Sequence, residues 1–177
     1  MKYFAVLLAG FVALCAIILP GHESAVADAK PSFDGVKSWG PLRWSMSVDA
    51  AEKALADVGY APRRVLSRAP GPDPGTADAT ETYLTFSLRG WTGAVRFAKG
   101  GRISVIELAI EGVTENIVAS ELAAFEAKYG KPRKRTALPT ARGLEYENDS
   151  TGLAVSALRR EDASWAITET WRPAKGL

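Results

Sequence analysis

The chain has 177 residues, 47% apolar and 24% charged, the balance of a globular protein able to bury a core. Its 22 basic and 20 acidic side chains leave a net charge of +2, which excludes the strongly basic character of a nucleic-acid or anionic-membrane binder. A single cysteine and a single histidine exclude an intramolecular disulfide framework and most thiol or imidazole chemistry.

Both of those residues, Cys15 and His22, lie in the first segment. Lys2 supplies a positive start, Tyr3 to Leu19 is an apolar run, and Pro20-Gly21 breaks it. Ala25-Val26-Ala27 and Ala27-Asp28-Ala29 then offer two sites of the spacing a signal peptidase reads. Residues 1–27 therefore read as a signal peptide. Cleavage removes Cys15 and His22, starts the mature chain at Asp28 or Lys30, and makes the protein periplasmic or secreted. The competing reading is an uncleaved membrane anchor, because a spanning helix needs roughly 17–25 apolar residues. Cys15 is no lipidation site, since Leu14 before it is not small.

Residues 28–46 form an extended N-terminal segment holding Trp39 and Trp44. The next stretch, Ser47 to Val58, predicts a helix with Ser47 as N-cap, Asp49 in the first turn and Gly59 past the end. Val48, Ala51, Leu55 and Val58 form its apolar stripe. Ala61 to Ala79 reads as a loop, because Pro62, Pro70, Pro72 and Pro74 exclude regular structure there. Three strands are expected after it: Tyr83–Leu88, Trp91–Ala98 and Ile103–Glu111. The turn Lys99-Gly100-Gly101-Arg102 joins the second and third. The apolar phase changes between Val105 and Ile106, which implies a bulge or burial on both faces.

The second half repeats that order. Thr114 to Tyr129 predicts a helix with Val118, Leu122, Phe125 and Tyr129 on one stripe, stopped by Gly130 and Pro132. Leu144–Asn148, Leu153–Leu158 and Trp165–Trp171 are the expected strands. The fold class predicted is thus α+β, two helix-plus-three-strand units forming an antiparallel sheet with the helices on one face. Residues 47–177 read as a single domain, and its segments 47–112 and 114–172 follow the order of a tandem repeat.

Two short stretches carry a resemblance. Leu42-Arg-Trp-Ser-Met-Ser-Val-Asp-Ala-Ala-Glu-Lys-Ala-Leu55 resembles the helix opening of the BamE/SmpA-like and beta-lactamase-inhibitor-protein-like exported domains. Phe125-Glu-Ala-Lys-Tyr-Gly-Lys-Pro132 is similar to the helix end common in small exported domains of that kind. Ser45 stands where those families usually carry glycine, and Ala51 near their usual valine. The resemblance implies a helix followed by antiparallel strands, and binding or assembly rather than catalysis.

A mature chain without Cys or His has no thiol nucleophile, no Ser-His-Asp arrangement and no histidine-ligated metal. No G-x-x-x-x-G-K loop is present. The carboxylate pairs Glu107/Glu111 and Glu145/Glu147 have the composition of a glycosidase pair, yet even spacing on a strand also produces an ordinary solvent-facing row. The expectation is no catalytic residue, no cofactor and no metal.

Two features are candidates for binding. Lys131, Arg133, Lys134 and Arg135, joined by Arg142, cluster after a helix C-terminus, where cations also offset the helix dipole. Trp39 and Trp44 lie in the least regular part of the chain and serve either core packing or a recognition surface. The reading that results is a non-catalytic exported cell-envelope protein acting by protein–protein binding. Its alternative is a module for an anionic envelope ligand, a glycan or lipid, held by the basic loop and the tryptophans. An envelope protein is then the partner, an anionic polymer the second choice, and a membrane only if the leader is retained.

Overall fold

Alternation of apolar and small polar residues over seven to eleven positions gives a strand one dry face and one wet face, and this chain does so repeatedly. The computed structural model describes residues 31–69 and 79–174. The expected signal peptide, 1–27, and both mature N-termini lie outside those residues.

Helix α1 (Val48–Asp57) is followed by β1 (Arg63–Ala69), β2 (Ala79–Leu88), β3 (Trp91–Phe97) and β4 (Ile103–Val113). Helix α2 (Glu115–Tyr129) is followed by β5 (Lys134–Ala137), β6 (Ala141–Glu147), β7 (Thr151–Arg159) and β8 (Trp165–Pro173). All eight strands form one antiparallel sheet in the order β1-β2-β3-β4-β8-β7-β6-β5. Two meanders thus meet along their last strands, β4 and β8, at the centre of the sheet.

This corrects the expected fold class. The units are not a helix plus three strands within an α+β layering; each helix precedes four strands, and a continuous sheet with two helices dominates the molecule. The strands absent from the expectation, β1 and β5, are the two sheet edges. β1 lies within the proline-rich stretch 61–79, where a loop is expected, and β5 within the basic stretch after α2. Both follow a proline, Pro62 or Pro132, and both begin with adjacent cations, Arg63-Arg64 or Lys134-Arg135. Charge on an edge blocks pairing with another chain's edge, so the residues that hid these strands are those an edge requires.

Local chemistry accounts for the helices. Ser47 accepts a hydrogen bond from the Ala50 N–H at 3.3 Å, and Ala51 and Leu55 are fully buried. Thr114 sits at the start of α2 without a side-chain cap bond, and Gly130 ends it at φ +76°. A side chain at Gly130 would collide with the Pro31 carbonyl, so glycine is needed for both conformation and space. In α2 Val118 and Tyr129 are buried, while Leu122 and Phe125 are half-buried.

One face of the sheet carries the core. Leu84, Val95, Ile106, Trp171, Leu153 and Tyr146 form one cross-strand row on it. Ile103 and Ile106 are both buried on this face because the β3–β4 register shifts at Arg96/Phe97 and skips Ser104, so the bulge falls ahead of the Val105/Ile106 position where the apolar phase changes. Gly93 opposes Phe86 across β2 and β3, and the ring covers the place a side chain would fill. Residues 31–46 run as a strap over the same face. Its Phe33 ring lies 5.3 Å from that of Tyr129 and 5.5 Å from that of Tyr146. Its Trp39 lies 5.5 Å from Phe86, so the strap bridges the two meanders.

Candidate functional site

The helices and the strap all lie on one face, which leaves the other with no described residue over it. Strand register lines Ser87, Thr92, Ala109, Thr168, Ser156, Gly143 and Thr136 side by side across seven strands. The adjacent row adds Thr85, Ala94, Thr170 and Ala154. Sequence alternation produces most of this belt, since on β2, β4, β6, β7 and β8 these residues are neighbours of core residues. The belt is flat because its side chains are short. That second row also contains Glu107, between Ala94 and Thr170, and Glu145, between Ala154 and Lys134; Glu107 pairs with Arg96 at 3.1 Å and Glu145 with Lys134 at 3.0 Å. Leu158, more than half exposed, stands at one end.

The predicted binding residues are not brought together as one site. Trp39 is buried in the core, 5% exposed, and stacks near Tyr60 and Phe86. Trp44 is half-buried, and its indole Nε1 donates to Thr151 Oγ1 at 3.1 Å, tying the strap to β7. The basic cluster is largely neutralised locally. Arg133 pairs with Glu147, Lys134 with Glu145, Arg135 with Glu126 of α2, and Arg142 with Glu115 of α2. Arg142 also lies 5.3 Å over the Trp165 ring. Lys131 and Arg133 share an open groove of about 520 Å³ with Phe33, Tyr129, Tyr146 and Glu147. The carboxylates considered for catalysis are placed in the same manner. Glu107 meets Arg96 and Glu111 meets Arg160, so each acid in the two pairs faces its own cation.

A residue the sequence reading passed over is Glu169. It sits in the core row of β8 between Val155 of β7 and Leu108 of β4, 9% exposed. Burial pushes its carboxyl up to about 7; the hydrogen bond from Trp171 lowers it, nearby Glu121 raises it, and Lys128 lowers it. Trp171 Nε1 donates to Glu169 Oε2 at 3.2 Å. Burial also raises Glu121 and lowers Lys128, and the Lys128 ammonium lies 5.0 Å over the Tyr129 ring. The signal was present: in Trp165-Ala-Ile-Thr-Glu-Thr-Trp171 the acid occupies the phase of Trp, Ile and Trp. Among the described residues no group of acids, His or Cys is arranged to hold a metal ion. No described helix is long and apolar enough to cross a membrane.

Comparison with known proteins returns no matching family model, curated protein or solved structure at a significant level.

Proposed function

We propose that the protein is a non-catalytic exported protein of the cell envelope that works by binding another protein, and that it does so through the open face of its sheet. The observation carrying this reading is the belt of small side chains crossing seven strands. An antiparallel sheet needs only one covered face for stability. The second face is therefore free to take a partner, and short side chains let that partner approach the backbone closely. Pairing of the basic cluster with carboxylates supports a protein partner over an anionic polymer, because the local field is reduced before any ligand arrives. Export rests on the leader-like N-terminus.

The test places bulk and charge in the belt without touching the core. Ala109→Arg and Thr168→Arg change half-exposed positions and should leave the thermal midpoint within a few degrees of wild type. Wild-type protein immobilised against envelope extract should retain one protein at near-equal stoichiometry, and both variants should lose it. Retention by both variants would refute the sheet-face assignment. Mass spectrometry of the purified chain checks export: a mature N-terminus at Asp28 or Lys30 is expected, and intact Met1 would replace export with anchoring.

A further inference from the structure

The second helix rests on an unusual seat. Only Val118 and Tyr129 of its fifteen residues are buried, and the strand beneath it presents a carboxylate rather than an apolar side chain. Glu169 lies in the interior with Trp171 Nε1 donating to it at 3.2 Å. From α2, Glu121, Lys128 and Tyr129 face it; from β4 and β7 its cross-strand neighbours are Leu108 and Val155, which carry no charge.

Two acids and one lysine at a seam that apolar residues would otherwise close give it an electrostatic balance set by one proton. With Glu169 neutral, no second negative charge faces Glu121, and the carboxyl needs little solvation. With Glu169 ionised, a buried negative charge faces the half-buried Glu121 while Lys128 stands at the exposed rim, and the least costly relief is entry of water between helix and sheet. We propose that α2 is a proton-operated cover on the sheet, seated when Glu169 is protonated and loosened when it ionises, so that the row around Ile106, Leu108 and Trp171 becomes accessible to solvent.

The sign follows from linkage. Once α2 lifts, Glu169 regains an ordinary carboxyl near 4.5, whereas the seated form holds its proton up to about 7. Between those values the open form binds fewer protons, so opening becomes about tenfold more favourable per pH unit and levels off above them.

Amide hydrogen exchange on the whole chain, corrected for the intrinsic pH dependence of exchange, reads this directly. From pH 5 to pH 8 the opening equilibrium at α2 should rise by roughly 100-fold, while that of α1 should stay level. Glu169→Gln should remove most of that rise, leaving the smaller part that burial of Glu121 contributes. Equal pH profiles for the two helices, or an unchanged α2 profile in Glu169→Gln, would overturn the proposal. Should that variant not fold, Glu121→Gln decides the matter. Removing the neighbouring negative charge lowers the pH up to which the seated Glu169 holds its proton, so the rise in α2 opening should level off at a lower pH and be smaller. An unchanged rise in Glu121→Gln overturns the proposal.

Discussion

The two helices occupy corresponding places in the chain, each ahead of four strands, yet they are held by different chemistry. Helix α1 is short, capped by Ser47, and seated by Ala51 and Leu55, both at 0% exposure. Arg64 of the edge strand clasps it from outside through Asp49 and Glu52. Helix α2 is half as long again and buries no more of itself: Leu122 and Phe125 are half-buried, and Glu121, Lys128 and Glu169 occupy its seam. A repeat of topology is therefore no repeat of energetics. One seat is apolar and indifferent to pH; the other is ionisable and responds to it.

Substitution at the apolar seat should give the largest effect. Leu55→Ala removes a fully buried side chain and should cost about 2–5 kcal/mol. Phe125→Ala, half-buried, should cost clearly less. Equal losses in chemical denaturation would erase the contrast between the helices.

Next is the pH dependence of the second seat. Glu169 is raised in the fold from 4.5 to about 7, so the unfolded chain releases this proton first as pH rises. Stability is undiminished by it below pH 4.5, falls between 4.5 and 7, and stays reduced above, by roughly 3 kcal/mol at most. Glu169→Gln should raise the unfolding free energy at pH 8 by up to that amount and leave it unchanged at pH 4. A gain at pH 4 as large as that at pH 8 would assign the effect to packing.

The strap is a smaller contributor that joins the halves. Asn148 Nδ2 donates to the carbonyls of Phe33 at 2.7 Å and Val36 at 2.8 Å, while its Oδ1 accepts from the N–H groups of Ser150 and Thr151. Asn148→Ala removes those four bonds, the Phe33 carbonyl keeping only the Val36 N–H, and should cost about 1–3 kcal/mol, with exchange rising first over residues 31–46. Loss confined to the β6–β7 turn would show that the strap holds without it.

The smallest effect is expected at the sheet edge. Lys134→Ala breaks a surface pair with Glu145, both more than a third exposed, and should cost less than about 1 kcal/mol. Its cation matters more for keeping the edge from pairing, so light scattering at high protein concentration should show more association than the thermal midpoint reveals.

Much of this architecture was legible in the residues. Both helices, with Ser47 and Thr114 at their starts, and the six interior strands follow from periodicity, because a buried stripe or alternating row imposes its spacing on the sequence. β1 and β5 were not legible, since an edge strand has one paired side, carries protective charge, and here follows a proline. Trp39 and Trp44 lie in an irregular stretch where core packing is favoured over a recognition surface but not specified; burial of one and the indole bond of the other are decided by a strap whose partners lie on distant strands.

By itself the sequence determined the positions and faces of the interior elements, the leader-like start and the absence of Cys and His beyond residue 22, because these depend on local spacing and composition alone. Only the tertiary structure decided that the two meanders join through β4 and β8, that each basic residue from Arg133 to Arg135 meets a carboxylate, and that Glu169 is roofed by α2. Those outcomes depend on which residues distant in the chain become neighbours, and both the energy of a charge and the exposure of a face are set by neighbours.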